Sequence, residues 1–188
     1  MDGEYIQDMV AAMREKGIAH PRAVDSSVWS QGSTILDALH SGWQRNRDVQ
    51  DSNFSKFGHE GEQFNLVGYS YGSLQAAQAA MDYADQEETV DNLVLIGSPI
   101  KKAFLEKLHQ HPNIKHVHVL DLAHRGDPLY AGISTPELIL GLRKLGVQFT
   151  SDDEHGTKDG HFDYTGNSKM AKTRRRVLAE TLKKLGLK

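Results

Sequence analysis

With 188 residues and 20.9 kDa, the chain is long enough to bury a core without metals or disulfides, and its length fits one domain over residues 1–188. A net charge of −3 and a pI near 6.4 give no basic excess that would argue for nucleic acid as a partner. The absence of cysteine excludes a disulfide framework, a thiolate nucleophile and any cysteine-ligated metal. Asp2, Glu4 and Asp8 stand where a secretory signal has basic residues, and no apolar run approaches the length of a membrane span, which together predict a soluble chain made in the cytoplasm.

Tyr5, Ile6, Met9, Val10 and Met13 recur at helical spacing behind Asp2, and Gly17 stands where a helix ends, so a helix is predicted over 3–16. Residues 18–25 read as a short strand. Ile35, Leu36, Leu39 and Trp43 behind Ser33 predict a second helix, and the polar stretch 46–63 reads as a long loop. The run from Phe64 to Gly68 predicts a strand that closes in a glycine turn and passes into a helix carrying Leu74, Ala77 and Met81.

Asp91 to Gly97, with its Leu93-Val94-Leu95-Ile96 centre, has the pattern of a strand buried on both faces. Ser98-Pro99 then reads as the N-cap and first residue of a helix bearing Phe104, Leu105 and Leu108. A strand is predicted over 114–122. Thr135-Pro136 opens a helix whose Leu138, Ile139, Leu142 and Leu145 share a face before Gly146, and a final helix over 168–185 turns Val177, Leu178, Leu182 and Leu185 inward. Strands alternating with helices at this spacing define the α/β class, with a mainly parallel central sheet covered by helices on both faces.

One motif carries chemistry. Gly68-Tyr69-Ser70-Tyr71-Gly72 matches G-x-S-x-G, in which a serine sits on a strained strand-to-helix turn and its hydroxyl stands clear of the sheet. In a chain with 17 glycines the pattern alone is weak; its position between an apolar strand and an amphipathic helix is what gives it weight. The bland alternative is a tight turn bearing an exposed serine.

A serine hydroxyl needs a base to take its proton and an acid to orient that base. In α/β-hydrolases these follow in the order serine, acid, histidine. Asp127, in Arg125-Gly126-Asp127-Pro128-Leu129, lies just beyond the strand ending near Leu122 and is the candidate acid, with Asp121 as runner-up. Of ten histidines only His155 and His161 follow Asp127; His161, in the aromatic-flanked Asp159-Gly160-His161-Phe162-Asp163-Tyr164 before the last helix, is the candidate base. The backbone N–H of Tyr71, directly after the nucleophile, is one expected oxyanion donor, and Tyr69, Leu129 and Tyr130 are expected to border the substrate.

The segments GYSYGS (68–73), HRGDPLY (124–130) and DGHFDYTG (159–166) resemble the α/β-hydrolase superfamily of serine esterases and lipases. The compact layout also looks like the lipase-like toxin domains of bacterial type VI secretion systems. The resemblance implies a compact hydrolase fold, a Ser70–His161–Asp127 triad, no cofactor and an ester or lipid substrate. The narrower likeness implies transient contact with membrane lipid, export without a signal peptide and an inhibitor or immunity protein as partner.

One departure stands out. In the family a strand and an oxyanion loop precede the helix that corresponds to 3–16, which places that strand upstream of Met1 unless residues 20–25 take its role. The second oxyanion donor is accordingly assigned to Asp2-Gly3 or to Ser26–Gly32. Rival readings are a binding domain on a degenerate hydrolase fold, or a thioesterase or acyltransferase using the same triad. His109, His111, His116 and His118 lack interleaved carboxylates, and Asp152, Asp153, Glu154 and Asp159 lack the spacing of a regular calcium loop, so no metal is expected. Lys172 to Arg176 forms a short basic run on the last helix.

Overall fold

The computed structural model describes residues 4–24, 62–155 and 160–188, the side chains of 146–155 excepted. The elements in chain order are α1 (Glu4–Glu15), β1 (Asn65–Tyr69), α2 (Tyr71–Asp85), β2 (Val90–Ile96), α3 (Lys102–Gln110), β3 (Ile114–Leu120), α4 (Thr135–His155) and α5 (Lys169–Lys184). Two short 3-10 turns, Ala123–Arg125 and Gly160–Phe162, precede α4 and α5.

Among the described residues, β1, β2 and β3 form a parallel sheet in that order, with Val67 opposite Val94 and Leu95 opposite Val119. Strand alternation divides the core in two. Leu93 and Leu95 point to the side where α2 and α3 pack with Leu74, Ala77, Ala80 and Leu108. Val94 and Ile96 point to the opposite side, where Ile18, Leu178, Leu182 and Leu187 meet them and Met9 and Met13 of α1 join. The fold is therefore α/β, a parallel sheet with helices on both faces. A third cluster of Leu129, Ile133 and Leu138 lies under α4.

Several expectations are corrected. Residues 18–24 form no strand, so they supply no extra strand to the sheet; Asp25 lies outside the described residues, as do the predicted helix near 33–43 and both proposed oxyanion segments. Ser98-Pro99 does not open α3, which starts at Lys102; Ser98 is instead buried and held by Ser73. Helix α4 runs through Gly146 to His155, and Ile139, expected inward, is 52% exposed, as is neighbouring Leu140 at 53%. Val177 of α5 likewise faces outward. Helix α2 is buried from Ser73 to Ala84, all round rather than along one stripe; its run of alanines lets the backbone approach the sheet.

Helices α1 and α5 are tied by Arg175. Its guanidinium, 1% exposed, donates to the carbonyls of Tyr164 at 2.6 Å and Gly166 at 2.8 Å and pairs with Asp8 at 2.9 Å. Truncating this side chain strands two carbonyls. Arg175→Ala should lower unfolding free energy by about 3 kcal/mol in denaturant titration. Asp8→Asn, at a half-exposed site, should cost less than about 1 kcal/mol.

Candidate active site

The site forms where the parallel strands end. After β1 the chain turns abruptly: Ser70 holds φ 55° and ψ −127° and serves as the N-cap of α2. A Cβ on Gly68 would lie 2.3 Å from the Gly72 carbonyl oxygen and 2.5 Å from Ser73 Cα, so only glycine lets the strand end and the helix start approach this closely. Gly72 differs, because a Cβ there would meet nothing within 4 Å. The first glycine of the motif is a steric necessity and the second is not.

Hydrogen bonds fix the turn. Ser70 N–H donates to the Ile96 carbonyl at 2.8 Å, and the Ser70 carbonyl accepts from both the N–H and the hydroxyl of Ser73. The Ser73 hydroxyl also shares a 2.7 Å bond with buried Ser98, which links the turn to the end of β2.

Ser70 Oγ lies 2.5 Å from His161 Nε2, and His161 Nδ1 lies 2.8 Å from Asp127 Oδ2. Both His161 and Asp127 are buried, at 3% and 5% exposure. The other carboxylate oxygen of Asp127 accepts the Leu129 N–H at 2.8 Å, so both oxygens are occupied and the carboxylate cannot rotate freely. With Asp127 Oδ2 as acceptor, Nδ1 carries the imidazole proton and Nε2 is left to accept from the serine hydroxyl. Asp121 lies elsewhere, accepting the Ala131 N–H at 3.1 Å. His155 ends α4, and its side chain is outside the described residues.

The tyrosines and Leu129 take different places. Tyr69 was expected at the substrate border; its ring instead stacks on His161 with centroids 5.7 Å apart, and its hydroxyl donates to the His161 carbonyl. Burial, then neighbouring Tyr5 and Asp127, push the Tyr69 hydroxyl well above its ordinary pKa, which keeps it a proton donor. Leu129, also expected to border substrate, is 2% exposed and packs under α4. Tyr71 begins α2, placing its N–H at the positive end of that helix beside Ser70. Tyr130 hydrogen-bonds Glu137 and lines a groove of about 150 Å³ with Pro128, Glu137, Leu140, Gly141 and Lys144.

Two contributors escaped the sequence reading. Gly97, at φ 50°, ends β2, and a Cβ there would lie 3.1 Å from Asp127 Oδ2 and 3.7 Å from His161 Cε1. Asp163, 1% exposed, pairs with both Arg125 and Arg174. A glycine closing a buried strand was the available signal for the first; nothing in the local pattern marked the ion pairs. Away from the site, His116 and His118 stack, and His118 bonds Asn92 at 3.2 Å, with burial lowering its pKa. Among the described residues no three His, Cys, Asp or Glu side chains are placed to hold a metal ion, and no helix is long and apolar enough to cross a membrane.

Residues 40–130, just under half of the chain, match the family model of the alpha/beta hydrolase fold. This stretch includes Ser70 and Asp127, whereas His161 lies beyond it. The match supports a member of the α/β hydrolase superfamily and hydrolytic chemistry in general. No curated protein and no solved structure matches the chain.

The two glycines of the turn separate in a stability measurement. Gly68→Ala should cost at least about 2 kcal/mol in denaturant unfolding, because the clash is with backbone. Gly72→Ala, in the first turn of a helix with open space around it, should raise stability by about 0.5–1 kcal/mol.

Proposed function

We propose that the protein is a serine hydrolase that cleaves carboxylic esters through an acyl-enzyme, and that its substrates are lipid-like. The observation that carries this reading is the continuous hydrogen-bonded chain from Ser70 Oγ through the His161 ring to a buried Asp127. A merely exposed serine in a tight turn has no need of a buried imidazole aimed at its hydroxyl.

In this mechanism His161 Nε2 takes the Ser70 hydroxyl proton as Oγ bonds to the ester carbonyl carbon, and the carbonyl electron pair moves onto oxygen. Tyr71 N–H faces the oxyanion, an interaction of the kind whose removal costs about 10²–10³-fold in kcat. Collapse of the intermediate expels the alcohol, which takes the proton from His161. Water then repeats the sequence: it gives a proton to His161, attacks the acyl carbon and releases the acid while Ser70 recovers its hydrogen. Asp127 holds the ring in the required tautomer and offsets the imidazolium charge.

A fluorophosphonate probe, which reports an activated serine rather than an accessible one, should label the protein and fail to label Ser70→Ala. Ester turnover in that variant should fall by more than ~10³-fold. A folded wild-type protein that stays unlabelled overturns the reading in favour of a binding domain.

The lipid assignment rests on the apolar surface next to the acid loop. Pro128, Tyr130 and Leu140 line the groove together with Glu137, Gly141 and Lys144, and Ile139 is exposed on the same helix as Leu140. Each methylene withdrawn from water there contributes about 0.8 kcal/mol. On p-nitrophenyl esters kcat/KM should therefore rise from acetate towards octanoate. A steep preference for acetate, with no fatty acid released from phospholipid vesicles, would assign the protein to small esters instead.

A further inference from the structure

The Asp127–His161 hydrogen bond joins two loops that are far apart in sequence, and a second interaction joins the same two loops in parallel with it. Arg125, two residues before Asp127, pairs with Asp163, two residues after His161. The Asp163 carboxylate is 1% exposed, and its second oxygen is held by Arg174 of α5. Arg125 is 30% exposed at its side chain, and its guanidinium also lies 6.0 Å from the Tyr164 ring centroid. The acid loop and the histidine loop are thus crossed by two bonds with the same offset on each side.

We propose that the Arg125–Asp163 pair is a positioning brace for the Asp127–His161 pair. This rests on the hydrolase reading and extends it to residues that do not touch substrate. A buried carboxylate must be compensated, and Arg174 alone can compensate Asp163 by tying it to α5, an interaction that leaves the acid loop unconstrained. Arg125 adds the constraint that Arg174 cannot. It fixes the loop bearing Asp127 relative to the turn bearing His161, where a displacement of one ångström is enough to lose much of the rate.

The two arginines allow a controlled test, because Arg125→Met and Arg174→Met each remove one partner from the same carboxylate and leave the other. Arg125→Met should lower kcat about 10- to 100-fold with KM unchanged, and slow fluorophosphonate labelling in parallel. Arg174→Met, at similar or greater loss of Tm, should keep kcat within about twofold of wild type. Arg125→Lys, which restores a charge to the loop, should recover part of the loss. A readout independent of turnover is the downfield proton resonance of the His161 Nδ1–H bonded to Asp127, expected to persist in Arg174→Met and to weaken or broaden in Arg125→Met. The brace is rejected if Arg125→Met keeps wild-type kcat and resonance, or if both methionine variants lose activity alike, which would assign Asp163 a role in folding only. Failure of the hydrolase reading shows separately, as an unlabelled wild-type protein that still gives the resonance difference.

Discussion

The backbone of Ser70 occupies a region of φ and ψ that costs a non-glycine residue on the order of 1–3 kcal/mol, and the rest of the site is arranged around holding it there. Along β1, Val67 and Tyr69 face the side of α1 and α5, whereas Leu66 faces that of α2 and α3. Continued alternation would send Ser70 towards α2 and bury its hydroxyl under helix. The turn breaks that alternation. Bonds to Ile96 and Ser73, together with the close approach permitted by Gly68, offset the strain.

A parallel sheet then determines what the serine meets. All three strands end at one edge, so Ser70 after β1, Gly97 after β2 and Asp127 after β3 are brought together by topology. His161 arrives from elsewhere, on the turn before α5, and its place depends on contacts: the Tyr69 hydroxyl on its carbonyl, the Tyr69 ring on its imidazole and the space left by Gly97. The carboxyl edge provides the serine and the acid; packing brings in the histidine.

This division accounts for what could be read in the chain. The strands were legible as apolar runs bounded by turn residues, most plainly β2, where burial on both faces leaves Leu93-Val94-Leu95-Ile96, and their observed limits differ from the expected ones by one or two residues. Ser70, Asp127 and His161 were legible because each stands at a turn that punctuates the pattern. Side chains whose positions depend on long-range packing were not. Leu129 looks like a border residue beside an acid, yet burial under α4 makes it core. Tyr69 looks like a motif filler and holds a histidine 92 residues away. Ser98 has the local signature of a helix cap, but a hydrogen bond from the neighbouring strand's turn claims it and α3 starts three residues later than Pro99.

The two buried carboxylates near His161 are compensated in opposite ways, and the difference bears on the proposed chemistry. Asp163 faces two guanidiniums, so its charge is spent permanently on holding loops and α5 together. Asp127 is met by the Leu129 backbone N–H and by the His161 ring, and neither bond comes from a guanidinium. A carboxylate held in this way is met by hydrogen-bonding dipoles and, among the described residues, by no arginine. In the proposed mechanism the imidazolium formed on His161 during attack would give the Asp127 carboxylate a cationic partner, and the interaction would strengthen as the barrier is reached. An arginine bound to Asp127 would cancel this gain in advance. Placing both arginines on Asp163 keeps the loops fixed while leaving the charge of Asp127 available to the ring.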